Sequence, residues 1–358
     1  ERLDLIMGTA RFLSPHRVLV SVQDGGQRAL EAPQIVINTG ARPAIPTISG
    51  LDAIGFLDST SIMELDEVPE HLLVIGGGYI GLEFAQMFRR FGSGVTIVQR
   101  SDQLLPHEDL DIATAVQEIL QQDGIEVLVD HEAVEVKPRQ DPRIELRLRT
   151  AGGANRKAYG SHLLVAVGRV PNSEMLELAG AGIDTDSEGY IRIDDKLRTS
   201  AEGVYAIGDV VPGPQFTHIS YDDYRILRAN LLRGEAQSRT NRFVPYTVYI
   251  DPQLGGVGLN ERRAKKRGIA YRVATMPMTH VARALEVDET RGLMKVLVEK
   301  GSERILGASI LGIEGGELMS MIQIAMMGDL PFSALREGIF AHPTLAESFN
   351  NLFASIGD

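Results

Sequence analysis

Two side chains near the end of the sequence, His342 and Glu347, are spaced for proton transfer. A carboxylate this close to an imidazole can fix its tautomer and raise its basicity, which makes a general acid/base pair. The residues between them also allow a plainer reading. Thr344-Leu345-Ala346-Glu347 is a capping box that would start a helix, and His342 alone could be a satisfied imidazole. A thiol is one group such a pair can serve, yet the 358 residues include no cysteine. That excludes structural disulfides, thiolate metal sites and a cysteine nucleophile within this sequence.

A second set of residues is built for phosphate. Gly76-Gly77-Gly78-Tyr79-Ile80-Gly81 fits G-x-G-x-x-G, follows the apolar run Leu72-Leu73-Val74-Ile75 and opens a helical pattern. In that context Gly76 makes the turn, Gly78 lets a pyrophosphate approach the backbone, and Gly81 lets helix and strand pack closely. The phosphates then meet the unpaired N–H groups of a helix N-terminus. Specificity is expected where the second strand, Val95-Thr96-Ile97-Val98, ends in Gln99-Arg100-Ser101. An acid there would hold the 2′-hydroxyl of NAD. A neutral Gln99 followed by Arg100 favours the 2′-phosphate of NADP(H), although Gln99 could still bond the NAD ribose.

Asp209 ends the apolar segment Val204-Tyr205-Ala206-Ile207-Gly208-Asp209, where an acid can accept ligand hydroxyls and Gly208 admits a close backbone. A strand-end aspartate that only caps a turn is the alternative. Asp184 to Gly189 resembles the start of a calcium loop, but its flanks look like strands and its twelfth position is Asp195, so no metal site is expected. Met319, Met321, Met326 and Met327 read as the filling of a core helix.

The elements that position these residues follow from their patterning. Leu5-Ile6-Met7, Val18-Leu19-Val20 and Ile35-Val36-Ile37, separated by Ser14-Pro15 and Asp24-Gly25-Gly26, predict a small antiparallel meander feeding a buried strand. Strand, glycine turn, helix (82–91) and strand (95–98) make a βαβ unit, followed by a helix over 110–123 and strands at 127–129 and 163–167. Residues 189–209 read as β-rich and 220–233 as a helix. From Phe243 onward the order of strand, helix, strands and then helices near 319–327 and 345–353 predicts an antiparallel sheet with helices on one face.

Composition bounds the function. The length suggests two or three domains, and 44% hydrophobic with 23% charged residues is ordinary for a globular protein. A net charge of −12 argues against nucleic acid as a partner. The basic run Arg262-Arg263-Ala264-Lys265-Lys266-Arg267 reads as a solvated helix face. Charged residues Glu1, Arg2, Asp4 and Arg11 interrupt the first apolar residues, so no signal core, transmembrane run or membrane partner is expected and the cytoplasm is the default location. A start at Glu1 suggests a natural N-terminus further upstream.

Taken in order, Ile37-Asn38-Thr39-Gly40-Ala41-Arg42-Pro43, the Gly76 to Glu83 fingerprint, Ala166-Val167-Gly168-Arg169-Val170-Pro171-Asn172, Ala206 to Val210, and His342 to Glu347 resemble the pyridine nucleotide-disulfide oxidoreductases. These are the flavoproteins related to dihydrolipoamide dehydrogenase, glutathione reductase and mercuric reductase. The resemblance implies an α/β fold with FAD- and NAD(P)-binding doubly wound domains, the first of them incomplete, and an α+β dimerisation domain. It places the remaining FAD domain at 1–65 and 185–240, the NAD(P) domain at 66–184 and the interface domain of a homodimer at 241–358. Thr39 and Gly40 would join the cofactor site, Asp209 beside Gly208 would hold the flavin ribityl chain, and Thr217 and His218 would approach the isoalloxazine. Tyr79 would gate the nicotinamide pocket with Ile80 and Glu83 beside it, and Gly168 and Arg169 would line the dinucleotide site. His342 would be the acid/base, oriented by Glu347, that reaches a thiolate pair of the partner subunit.

The family's reaction runs hydride from NAD(P)H to FAD, electrons to a disulfide, then thiolates to substrate. The sequence lacks the family's first flavin-phosphate GxGxxG and its CxxxxC pair, so only the first step is expected of it as it stands. The acceptor is then a disulfide, a metal ion or a small molecule. The segment from Phe216 to Ile226 most resembles the mercuric-reductase-like and reactive-chlorine-resistance branch. The His-Pro-Thr motif, and a C-terminus without a cysteine pair, disfavour true mercuric reductase. Asp251-Pro252-Gln253 stands where the family carries Pro-Glu. Two rivals remain: a thiol-free NAD(P)H reductase, and a non-catalytic dinucleotide-binding, dimer-forming scaffold without flavin.

Overall fold

The structure is a computed structural model that describes residues 3–140 and 143–357. The sequence readings at Glu1, Arg2 and Asp358 lie outside them. In chain order the strands β1 (Gly8–Ser14), β2 (Arg17–Val22), β3 (Gln27–Glu31), β4 (Ile35–Ile37) and β5 (Ala41–Pro43) come first. Then follow β6 (His71–Ile75), α1 (Tyr79–Phe91), β7 (Gly94–Val98), α2 (Leu110–Gln122) and β8 (Glu126–Leu128). A meander of β9 (His131–Pro138), β10 (Ile144–Thr150) and β11 (Asn155–Gly160) precedes β12 (His162–Val165), β13 (Arg169–Pro171), β14 (Val204–Ala206) and α3 (Thr217–Arg233). The last part holds β15 (Tyr246–Val248), β16 (Gln253–Gly258), α4 (Glu261–Lys266), β17 (Tyr271–Pro277) and α5 (Ala282–Glu286). It continues with β18 (Leu293–Glu299), β19 (Ile305–Gly312), α6 (Gly315–Met327), α7 (Phe332–Arg336) and α8 (Ser348–Ala354).

These elements form two compact units, one from residues 1–44 and 169–244, the other from 45–168 and 245–358. In the first, β1, β2 and β3 form the meander, β14 pairs in parallel with β4, and β13 pairs with β5. Phe12, Ile37, Ile191, Val204 and Val210 fill its core. The tight turn between Ser14 and Arg17 sets the register so that Gly8 pairs with Val22. Leu5-Ile6-Met7 therefore lies beyond the ladder and is not the expected strand, and Leu5 is 87% exposed. The stretch 189–209 is likewise mostly turn, with β14 as its one full strand. Asp186 accepts the amides of Glu188 and Tyr190, and Asp194 those of Lys196 and Arg198, so side chains satisfy the backbone where a ladder was expected.

In the second unit the parallel sheet runs β12-β6-β7-β8, with Ile75 beside both Val165 and Val98. Leu72, Leu73 and Val74 are wholly buried, as strands covered on both faces require. The meander β9–β11 lies over this sheet through Val136, Leu146 and Leu148. The other sheet is antiparallel, in the order β15-β16-β19-β18-β17. One face carries helices, as expected: α6 lies over Gly255, where a Cβ would meet Gly315 and Met319, and Ser348 of α8 donates to the Met294 sulfur. The opposite face presents Tyr246 and Lys295 to the segment that precedes α2. Met319 and Met326 fill the core, whereas Met327 and Ile324 face outward.

Candidate dinucleotide and acid/base sites

The glycine turn follows from β6 running out of the sheet into α1. Gly76 adopts a φ of 115°, and a Cβ there would stand 2.2 Å from the Ala166 carbonyl oxygen. A Cβ on Gly81 would stand 2.0 Å from the Gly76 carbonyl oxygen, so helix and turn touch at backbone distance. At Gly78 no heavy atom lies within 4 Å of the Cβ position, which leaves open space at the N-terminus of a 13-residue helix. That arrangement leaves helix N–H groups and the positive end of the dipole facing a groove, the chemistry of an anion site. The helix begins at Tyr79, one turn earlier than the sequence pattern suggested, and so includes Tyr79, Ile80 and Gly81.

Gln99 sits where the second strand ends. Its Oε1 accepts the Gly77 amide at 3.0 Å, and its Nε2 donates to the Ser101 hydroxyl. Arg100 beside it is exposed. Glu83, one turn along α1, accepts the Tyr249 amide at 2.7 Å. Burial pushes its carboxyl above the usual range, against the pull of that hydrogen bond.

Tyr79 belongs to a cluster that sequence reading missed. Its ring stacks on Tyr246 with centroids 5.6 Å apart and planes 10° from parallel. Glu108 is fully buried, and its Oε1 accepts the Tyr246 hydroxyl at 2.7 Å and lies 3.5 Å from the Tyr79 hydroxyl. Burial raises the Glu108 carboxyl despite the hydrogen bond from Tyr246 and the charge of Arg263. Both tyrosines are raised for the same first reason, burial, reinforced by the Glu108 charge.

The flavin-side candidates assemble within the other unit. Thr39 donates its hydroxyl to the Asn172 carbonyl at 2.7 Å, and the Asn172 amide donates to the Gly40 carbonyl at 2.9 Å. Gly40 has a φ of 70°, and Arg169 donates to the Ala41 carbonyl. Gly168, at a φ of 126°, is the last residue of the other unit's first stretch, 45–168. Gly208 has a φ of 71°, and a Cβ on it would stand 2.7 Å from Asn38 Oδ1 and Ser220 Oγ. Its amide donates to the buried Asp223 at 3.1 Å, and Arg242 donates to the same carboxylate at 2.6 Å. Asp209 next to it is half-buried and raised by burial, with Arg169 pulling the other way. Thr217 and His218 open α3, and the His218 ring stacks on Phe216 at 5.3 Å.

At the end of the sequence Glu347 contacts His342 and also caps the last helix. His342 Nδ1 is 2.9 Å from each oxygen of Glu347, while Thr344 and Glu347 exchange the reciprocal hydrogen bonds of a capping box at 3.3 Å. The helix proper begins at Ser348. Gln253, the departure from the family's Pro-Glu, uses its Oε1 to accept the Gly316 amide at the start of α6. The basic run is a short solvated helix, α4, capped by Asn260. Among the described residues no group of three acidic or histidine side chains is placed to hold a metal ion. No helix among them is long and apolar enough to cross a membrane.

A parallel sheet with a glycine fingerprint, a second nucleotide-type unit and an antiparallel sheet with its own helices is the architecture of a dinucleotide-dependent flavoprotein oxidoreductase. The chain belongs to the pyridine nucleotide-disulphide oxidoreductase family: it matches that family over residues 1–223 and the family's dimerisation domain over residues 244–353. It is 37% identical over 356 residues to the probable pyridine nucleotide-disulfide oxidoreductase RclA of Escherichia coli, covering 99% of this chain and 79% of that protein. It is 35% identical over 344 residues to the mercuric reductase of Bacillus cereus, covering 96% of this chain and 53% of that longer protein. Among solved structures, the HOCl-induced flavoprotein disulfide reductase RclA from Escherichia coli superposes with a TM-score of 0.90 at 37% identity, covering 99% of this chain and 80% of that one. A Cu(II) complex of a cysteine-to-serine mutant of the same reductase gives a TM-score of 0.91 over 99% of this chain and 79% of that one.

Proposed function

We propose that this chain binds a reduced nicotinamide dinucleotide, NADPH in preference to NADH, on the Gly76–Gly81 turn, and FAD at Thr39, Gly40, Gly208, Asp209, Thr217 and His218. The observation that carries the reading is the turn itself, with backbone contacts that exclude side chains at Gly76 and Gly81 and open space at Gly78. The flavin residues fit their group: Gly208 brings backbone against Asn38 and Ser220, and Asp209 offers a half-buried carboxyl to hydroxyls. Held by these residues, FAD would supply hydride-accepting, two-electron redox chemistry. The chain's own residues orient and protonate. Glu83 and Tyr79 line the nicotinamide end, Gly168 and Arg169 border the dinucleotide, and His342, tethered by Glu347, holds a proton for the acceptor.

By this reading residues 1–65 and 185–240 serve the flavin, 66–184 the nicotinamide dinucleotide and 241–358 a homodimer interface. The outward-facing Ile324 and Met327 on one side of α6, with Leu330 just beyond, support a second copy there. The electrons would pass onward to a disulfide, a metal ion or a small acceptor. Purified protein should show flavin absorbance that NADPH bleaches under anaerobic conditions, and should sediment as a dimer. Protein that binds NADPH but no flavin would leave the non-catalytic scaffold, and protein that binds neither would remove the proposal.

A further inference from the structure

The tyrosine cluster beside the glycine turn has a geometry that dinucleotide binding alone does not require. The segment carrying Glu108 is fixed to the turn: the Leu105 amide donates to the Gly77 carbonyl at 2.9 Å, and a Cβ on Gly77 would stand 2.6 Å from a Leu104 methyl. Tyr246 reaches the same place from β15. Its ring lies across Gly256, where a Cβ would come within 2.2 Å of the ring Cζ, so a glycine in β16 makes the slot for it. Glu108 Oε2, buried, has no hydrogen-bond partner among the described residues, so Oε1 alone ties this carboxyl to the tyrosines.

Tyr79 is the first residue of α1, and side chains on a helix lean toward its N-terminus. Its ring, if released, can therefore swing over the open space at Gly78. Instead it lies flat against Tyr246, with its hydroxyl toward Glu108. An offset stack of this kind adds attraction beyond simple burial.

We propose that Tyr246 and Glu108 are positioning residues that hold the Tyr79 ring away from the glycine turn and so keep the groove open to the phosphates and ribose of the dinucleotide. The inference rests on the assignment of that turn to a nicotinamide dinucleotide. Neither residue touches the ligand in this scheme. Each acts through Tyr79, and a double-mutant cycle separates that role from a merely structural one.

The test is titration of the full chain with NADPH, followed by dinucleotide fluorescence, in wild type, Tyr246→Ala, Tyr246→Phe, Tyr79→Ala and the Tyr79→Ala/Tyr246→Ala double variant. Tyr246→Ala should raise Kd about fivefold, the scale of a lost aromatic stack. Tyr246→Phe, which keeps the stack and loses the link to Glu108, should raise it about twofold and guards against a failure of Tyr246→Ala to fold. In the Tyr79→Ala background, Tyr246→Ala should have no further effect, because the ring it positions is gone. An equal loss in both backgrounds overturns the proposal, as does wild-type affinity in both Tyr246 variants. Wild-type protein that fails to bind NADPH overturns the dinucleotide assignment and this inference with it, a result distinct from normal binding that ignores Tyr246.

Discussion

Glu347 holds His342 and starts the last helix with the same carboxylate. Its oxygens lie 2.9 Å from the imidazole Nδ1, and one of them also accepts the Thr344 amide while the Thr344 hydroxyl accepts the Glu347 amide. Glu347→Ala removes both functions and should cost about 1 kcal/mol of stability, the usual scale of a lost cap. Glutamine serves equally at this capping-box position, so Glu347→Gln should recover most of that loss in urea unfolding. A glutamine variant as unstable as the alanine variant would show that the cap contributes little.

Lys295 is a charged side chain inside the antiparallel sheet, 2% exposed, with its ammonium 3.0 Å from Asp109, 2.8 Å from Asp111 and 2.6 Å from Glu261. Burial opposes its charge, but the hydrogen bonds it donates to Asp111, Glu261 and Asp109 outweigh it and hold its pKa above the ordinary lysine value. Removing one member of such a cluster strands the others. Lys295→Met should therefore cost on the order of 3 kcal/mol, read as a fall in the denaturant midpoint. Adding Asp109→Asn should return part of it, since the buried carboxylate left behind is the source of the cost. A Lys295→Met loss below about 1 kcal/mol would mean that the cluster is not what ties α2 and α4 to the sheet.

What could be read from the sequence was local, and what could not was the meeting of distant segments. The fingerprint was legible because each glycine answers a constraint within a few residues: a left-handed turn, an open approach, a backbone contact. The capping box was legible for the same reason. Glu108 and Tyr246 were not, being brought together from segments far apart in the chain. Their one sequence signal is negative, a glycine at position 256 opposite a tyrosine in the neighbouring strand. Lys295 had a clearer sign, a lysine between Met294 and Val296 in an apolar strand, but its acidic partners are set by tertiary packing. Leu5-Ile6-Met7 misled because apolar content cannot show where a ladder ends, and the turn at Ser14–Arg17 decides it.

The proposed preference for NADPH can be tested at Gln99, which accepts the Gly77 amide. Gln99 braces the turn from the position where an acid would hold the 2′-hydroxyl of NAD, and the exposed Arg100 is available to a 2′-phosphate. Replacing Gln99→Glu and Arg100→Met should raise the ratio of NADH to NADPH affinity about tenfold, the scale of one lost charge-assisted contact. Paired titrations with the two dinucleotides measure it directly. An unchanged ratio would refute the assignment of these two residues.

Gly256 tests whether the Tyr246 slot is a packing requirement. A methyl group added there would stand 2.2 Å from the Tyr246 ring and 2.3 Å from its hydroxyl oxygen, so the ring must move. Gly256→Ala should cost about 1 to 3 kcal/mol, as overpacking commonly does. In the Tyr246→Ala background the same change should be nearly free, and a cost that persists there would place the strain in β16 itself.

Glu108 should leave a pH signature in stability. Burial raises its folded pKa above the ordinary glutamate value of 4.5, so the folded state binds its proton more tightly than the unfolded chain does. The sign follows directly: the protonated form is favourable at low pH, and that stabilisation is lost as pH rises from 4.5 through the folded value. Glu108→Gln keeps a carbonyl to accept the Tyr246 hydroxyl and has no proton to lose. Relative to wild type, the variant should therefore gain stability as pH increases across that window, measured as the difference in thermal midpoint at successive pH values. A difference that is flat with pH, or that grows as pH falls, would contradict a buried carboxyl whose pKa is raised beside Tyr79 and Tyr246.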